Sequence, residues 1–213
     1  MVYTSKKTGK KYEVTTEDGE PELLGEGAFC KVYLGRDKTS GDDVAIKVIQ
    51  NTESTKREIE TMNQITPHKN IVMLIDHIED YVNHYLVMSL AKENLAEFIC
   101  SLEFKNSHMR VSQNGDDLLR YSRHLIAGVK HLHDNAILHR DLKPGNVLIY
   151  VQGKQNILKI TDFSISRILE GGEYAHTRNI GSGKYMAPEI MEPNPNYKET
   201  CDIKMSKRKG KLL

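Results

Sequence analysis

The chain has 213 residues, and its 30 Lys and Arg against 29 Asp and Glu leave a formal charge of +1, a balance that argues against a protein that coats nucleic acid. Three scattered cysteines, Cys30, Cys100 and Cys201, make neither a metal-ligand spacing nor an even disulfide framework, which favours a reducing compartment. No apolar run approaches a membrane span and the Lys-rich start lacks the apolar stretch of a signal peptide. The expectation is an intracellular protein, cytoplasmic with the nucleus left open, with no nucleic-acid partner and no membrane segment.

A chain of this length builds one large domain or two small lobes around a buried core. Residues 1–20 are polar and charged and read as a loose lead-in. From 22 to 49 the pattern is strand: Val32-Tyr33-Leu34 and the run 44–49 are β-rich, with a turn at 38–43 between them. Residues 52–65 predict a helix, with Ile59, Met62 and Ile65 at helical spacing and Thr52 or Ser54 as its cap. Residues 71–75 and 85–88 read as short strands. Beyond Ser89-Leu90-Ala91 the pattern turns helical. Leu95, Phe98 and Ile99 form a short stripe; Leu118, Tyr121, Leu125, Val129 and Leu132 form a longer one behind the polar loop 112–117. Residues 157–160 are a further strand. Strands dominate first and helices second, with the boundary near Leu90.

Four stretches carry chemistry. His139-Arg140-Asp141-Leu142-Lys143-Pro144-Gly145-Asn146 packs a carboxylate, an ammonium and an amide close together. Phosphoryl transfer needs that set: a base for the attacking hydroxyl, a cation for the moving phosphate and an oxygen ligand for Mg²⁺. Gly25-Glu26-Gly27-Ala28-Phe29-Cys30-Lys31-Val32 lies between two strand-like runs, and glycines let a backbone approach phosphates and donate its N–H groups. Alone it reads as a plain hairpin turn; it gains force from Val44-Ala45-Ile46-Lys47. Lys47 alone could be a lysine snorkelling from an apolar edge. As a phosphate-binding cation it needs an anion, and Glu58 and Glu60 are the candidates. These two point about 200° apart around a helix, so only one can face a cleft. Asp162-Phe163-Ser164 follows the strand 157–160, and Gly181-Ser182-Gly183-Lys184-Tyr185-Met186-Ala187-Pro188-Glu189 completes the series. His139 reads as a packed core histidine. His131 and His133 have no further ligand spaced to help them, so metal binding through histidines is not expected.

In this order the four stretches resemble the motifs of eukaryotic protein kinases, and Asp-Leu-Lys-Pro together with Ser182 in a Gly-Ser-x-x-Tyr context resembles the Ser/Thr branch. The resemblance implies an α+β, two-lobe fold over residues 21–203: a β-rich N-lobe over about 21–90, an incomplete helical C-lobe over about 91–203, and a basic tail at 204–213. It implies ATP-dependent phosphorylation of Ser or Thr in a protein substrate, with ATP and Mg²⁺ as cofactors. Asp141 would be the base and orienter of the hydroxyl, and Lys143 would neutralise the transferring phosphoryl group. Lys47 would hold the α- and β-phosphates, with Glu58 preferred over Glu60 for its interval to His68-Lys69-Asn70-Ile71-Val72. Asn146 and Asp162 would ligate Mg²⁺. The nucleotide pocket would use Leu24, Gly25, Glu26, Gly27, Ala28, Val32, Ala45, Lys47 and Leu148, with Met88 as gatekeeper and the backbones of Ser89 and Ala91 on the adenine edge. Arg140 could clamp a phosphate on the activation segment, and Thr177 is the first choice of phosphosite, modified by the chain itself or by an activating kinase.

Two residues depart from the family pattern. Cys30 replaces a glycine and should crowd the phosphates; Ser164 replaces another and should narrow reorientation of its motif. The resemblance stops after Ile203. The family continues there with a tryptophan and a buried helix, whereas this chain has no tryptophan and runs on as Lys204 to Leu213. The expectation is a C-terminally truncated kinase. The side-chain stack of Met62, Leu74, His139 and Phe163 would lose its floor, and the stripe of Leu125, Val129 and Leu132 would be exposed. The alternative function is a non-catalytic nucleotide-binding or interaction fragment.

Overall fold

The computed structural model describes residues 1–27, 30–106, 115–169, 174–177 and 180–203. Its architecture is α+β. A seven-stranded antiparallel sheet comes first, in the order Val2–Thr4, Lys11–Val14, Cys30–Asp37, Asp43–Gln50, Asn83–Ser89, Leu74–Glu79, with Leu23–Glu26 also paired to Cys30–Asp37. Asp43–Gln50 occupies the middle because it is rich in β-branched residues that suit a pleated surface covered on both sides. Its register sets Lys47 opposite Val32 on one neighbour and Leu86 on the other. Helix α1 (Glu53–Gln64) starts where the Thr52 side chain accepts the Thr55 N–H, and it buries Glu58, Ile59 and Met62.

Residues 1–20 are not the loose lead-in that their charge suggested. Lys11–Val14 alternates, with Tyr12 and Val14 buried, and it pairs with the end of Cys30–Asp37. The hydroxyls of Ser5, Thr8 and Tyr12 all donate to the carboxylate of Asp76, at 2.9, 2.5 and 3.1 Å. Polar residues fasten this segment by converging on one buried acceptor, which a count of polar residues does not reveal. The expected strand at 71–75 also shifts. Ile71 makes only an isolated bridge to Ile160, Val72 donates to the Ile160 carbonyl, and the strand begins at Leu74. Ile71 and Val72 are apolar because they are buried beneath the sheet.

Past Ser89 come α2 (Leu95–Asn106) and α3 (Gly115–Asp134), then the hairpin of Val147–Gln152 and Gln155–Ile160. Among the described residues no helix is long and apolar enough to cross a membrane. Helix α3 lies close against the crossing point at Asn70 and Ile160, and Gly128 permits this: a Cβ there would come within 2.9 Å of both the Asn70 carbonyl oxygen and Ile160. One core cluster unites the two parts, with Met62, Leu86, Leu132, Ile160 and Phe163 buried and Leu74 packed against them. The ring of His139 meets Phe163 edge-on at 5.3 Å. A second cluster of Leu138, Met186, Ile190 and Tyr197 anchors the last described segment, and the basic tail 204–213 lies outside the described residues.

The stripe on α3 is not exposed as a unit. Leu132 is 0% exposed and packs into the uniting core, whereas Leu118 at the other end of the stripe is 67% exposed. Leu125 and Val129 lie between, bordering an apolar groove of about 640 Å³ shared with Leu142 and Ile203. Leu132→Ala should therefore cost about 2–5 kcal/mol through lost burial and a cavity. Leu118→Ala should change stability by no more than about 0.5 kcal/mol. Urea unfolding of the two variants measures this contrast, and equal losses would mean that α3 is seated on a different face.

Candidate active site

A cleft of about 350 Å³ lies between the sheet and the following segments. Leu24, Gly25, Glu26, Gly27, Val32, Ala45, Lys47, Met88, Ser89, Ala91 and Leu148 all line it, and Ala28 lies outside the described residues. The sheet accounts for this grouping: Ala45 pairs with Leu34 on one side and Met88 on the other, which sets apolar side chains along one wall. Cys30 also lines the cleft, so its side chain occupies space that a glycine would leave open. The Ser89 carbonyl accepts the Tyr150 hydroxyl at 2.9 Å, a contact that no local sequence pattern announced.

At the back of the cleft the Lys47 ammonium meets Glu58 Oε1 at 2.6 Å and Asp162 Oδ1 at 3.1 Å. Glu58 rather than Glu60 faces inward; Glu60 is exposed on the other side of α1. Burial disfavours the charged ammonium, but the two carboxylates outweigh it and raise the Lys47 pKa, so it stays protonated. Burial lifts the Glu58 carboxyl, and Lys47 pulls it back only in part. Burial also acts to lift Asp162, but there the charge and hydrogen bond of Lys47 win and hold its carboxyl below the usual range.

The loop 139–146 supplies the second cluster. Asp141 Oδ2 takes hydrogen bonds from Lys143 Nζ at 2.6 Å and Asn146 Nδ2 at 3.0 Å, and its Oδ1 takes the Ser182 N–H at 2.7 Å. Against its burial, Lys143 and Ser182 keep the carboxyl below its ordinary value. Lys143 also reaches Ser182 Oγ at 2.8 Å, so the loop and the 181–189 segment are bonded together. Asn146 and Asp162 both line the cleft and together offer an amide and a carboxylate oxygen.

The loop is held from behind by a residue that the sequence reading missed. The Asp202 side chain accepts the backbone N–H groups of His139 at 2.8 Å and Arg140 at 2.6 Å, together with His133 Nε2 at 3.0 Å. Burial acts to raise its carboxyl, but these donors hold it below its ordinary value. Its only sequence signal is an acidic residue in the last stretch of the resemblance, 63 and 62 positions from its backbone partners. His139 is fully buried, donating through Nε2 to the Thr161 carbonyl at 3.0 Å while Nδ1 accepts the Asp141 N–H. Arg140 and Asp162 adopt left-handed backbone conformations, φ 66° and 67°. Ser164 is not among the described residues with positive φ, so this conformation does not use the freedom of a glycine there. Gly181, at φ 104°, is required: a Cβ would collide with the Arg140 carbonyl oxygen.

Arg140 is nearly buried, and its guanidinium donates to the carbonyls of Ile165 and Ser166 and to the Tyr197 hydroxyl. Tyr197 in turn donates to the Thr177 carbonyl at 2.9 Å, and Thr177 itself is exposed.

Residues 20–203 match the family model for the protein kinase domain. The chain is 34% identical over 214 residues to a probable myosin light chain kinase of Dictyostelium discoideum, covering 95% of this chain and 52% of that protein. It is 33% identical over 189 residues to calcium/calmodulin-dependent protein kinase type 1 of Caenorhabditis elegans, covering 85% and 51%. It is also 33% identical over 193 residues to calcium-dependent protein kinase 4 of Plasmodium falciparum, covering 85% and 34%. The chain thus spans about half the length of these relatives, or less.

Asp202 yields a test with a defined sign. A carboxyl held below its ordinary pKa stabilises the fold at pH values above the unfolded value, about 3.9, and that contribution fades as pH falls through the lowered value. Asp202→Asn should cost roughly 1.5–3 kcal/mol at pH 7, the worth of a hydrogen bond to a charged group. The gap to the parent should close as pH falls below about 4. Urea unfolding at pH 7 and pH 3 reads both, and a gap independent of pH would show that the carboxylate charge is not what holds the loop.

Proposed function

Because the chain belongs to the protein kinase domain family, we propose that it transfers the terminal phosphoryl group of ATP, with Mg²⁺, to Ser or Thr hydroxyls of a protein substrate. The observation that carries this reading is the convergence of two clusters on one cleft: Lys47 with Glu58 and Asp162, and Asp141 with Lys143 and Asn146. The apolar wall of Val32, Ala45 and Leu148 would hold the adenine, and the backbone at Ser89 and Ala91 would offer hydrogen bonds to its edge. Lys47, fixed by Glu58, presents a permanent cation to the α- and β-phosphates.

Asn146 and Asp162 would hold Mg²⁺. The donor set fits: two oxygen donors suit a hard cation, and because Asn146 commits its Nδ2 to Asp141, its Oδ1 remains for the ion. Bound there, the ion supplies charge neutralisation on the phosphates. Asp141, kept ionised, orients the incoming hydroxyl and takes its proton as the oxygen bonds to phosphorus. Lys143, bonded to Asp141 at 2.6 Å, offers its charge to the phosphoryl group in flight. Phosphate added to the exposed Thr177 would give Arg140 a stronger acceptor than the carbonyls it now holds, and Tyr197 already links the two.

Mg-ATP should raise the melting temperature of the purified chain, and Lys47→Met should reduce that shift; no shift in either protein would remove the nucleotide site. In a phosphorylation assay Asp141→Asn and Asp162→Asn should each lower turnover by at least about a hundredfold, while Asp141→Asn keeps its Mg-ATP shift. Products should carry phosphoserine and phosphothreonine. Nucleotide binding by the parent with no transfer to any protein would instead favour a nucleotide-binding module.

A further inference from the structure

We propose that His77, Glu79 and His84 form a zinc-binding site on the edge of the seven-stranded sheet, separate from the nucleotide cleft. Leu74–Glu79 is the edge strand, and it pairs antiparallel with Asn83–Ser89. Glu79 lies directly across from His84, and His77 is two residues back on the same face. The pleat therefore delivers two imidazoles and a carboxylate to one spot. His77 Nε2 stands 2.9 Å from His84 Nδ1, and His84 Nδ1 stands 3.6 Å from Glu79 Oε2. All three ligand atoms lie within 4.8 Å of one another, and among the described residues no other group of three His, Cys, Asp or Glu side chains does so.

Zinc at bond lengths of about 2.0–2.1 Å spaces tetrahedral ligands roughly 3.3 Å apart. The two imidazoles need only spread slightly to reach that spacing. Glu79, with a side chain 61% exposed, has the freedom to close in. Two imidazoles and one carboxylate select zinc over Mg²⁺ or Ca²⁺, which prefer oxygen alone.

The tautomer also permits ligation. His84 is 2% exposed, and its Nε2 has no hydrogen-bond partner among the described residues. In the metal-free fold one imidazole donates to the other across the 2.9 Å contact; with His84 protonated at Nε2, His77 Nε2–H is the donor, and zinc would take the place of that proton. The charged groups around the site are Asp76, Glu79 and Asp80 together with Lys6, Lys7 and Lys56. A hollow of about 290 Å³ lies beside the edge strand and is lined by His77 and Glu79. Bound zinc would clip the edge strand to its neighbour, next to the Asp76 carboxylate that fastens residues 5–12.

Titration of the chelator-treated full chain with Co²⁺ tests the site. The expected result is a saturable ligand-field spectrum of four-coordinate Co²⁺ that Zn²⁺ displaces, and a higher melting temperature with Zn²⁺. His77→Ala and Glu79→Gln should each weaken Zn²⁺ binding by at least about tenfold. Glu79→Gln changes an exposed side chain at constant shape, so circular dichroism should show an intact fold and leave the affinity loss attributable to the ligand. Absence of a saturable Co²⁺ spectrum, or an affinity that both substitutions leave unchanged, would overturn the proposal.

Discussion

The arrangement around the Lys47 ammonium constrains more of this molecule than any other single interaction. A nearly buried ammonium is tolerable only with anions beside it, and its two anions come from different parts of the chain. Glu58 arrives on α1, whose placement depends on Ile59 and Met62 burying against the sheet. Asp162 arrives from the turn after Gln155–Ile160, and Phe163 beside it is sealed into the same core as Met62. The charge cluster and the apolar cluster thus share their supports. Moving α1 outward would strand a buried cation and open the core around Phe163 at the same time.

A similar logic holds the loop 139–146 from the opposite side. Its backbone turns through left-handed φ at Arg140, a conformation costing of order 1–3 kcal/mol outside glycine. Three contacts over-determine it. Asp202 takes the N–H of Arg140, the guanidinium is tied to Ile165 and Ser166, and Gly181 permits close approach of the 181–189 segment. That approach also lets Ser182 bond to Asp141 and Lys143. The site geometry is therefore a property of the docked segment as well as of the loop.

The sequence was most legible where chemistry is local. Thr52 capping α1, the Ala45-Ile46-Lys47 strand and the close spacing of Asp141, Lys143 and Asn146 each lie within one element, so spacing alone places them on one face or in one loop. The helical period shows that only one of Glu58 and Glu60 can face the cleft, and the interval from Glu58 to His68-Lys69-Asn70-Ile71-Val72 in the family pattern chose between them. What escaped was long-range. Asp202 reaches His139 across 63 positions, and Ser5 reaches Asp76 across 71. In each case one buried carboxylate gathers donors whose sequence neighbours look like ordinary polar surface. The α3 stripe failed for a different reason: periodicity identifies the apolar face but not which part of it the core reaches, and Leu132 and Leu118 lie on opposite sides of that limit.

The two departures from the family pattern differ in consequence. Ser164 is accommodated without strain, because the left-handed residue of its motif is Asp162 and not the serine. The serine therefore leaves the observed state intact and bears on conformations that would need positive φ at its own position, where a Cβ is costly. Cys30 acts on the observed state directly. Its side chain lines the cleft in which the phosphates are proposed to lie, within reach of the field of Lys47. Burial raises the thiol pKa more than Lys47 lowers it, so the group adds bulk without adding negative charge. A neutral obstruction leaves the Lys47 charge undiminished for the nucleotide; an acid at the same place would compete for it.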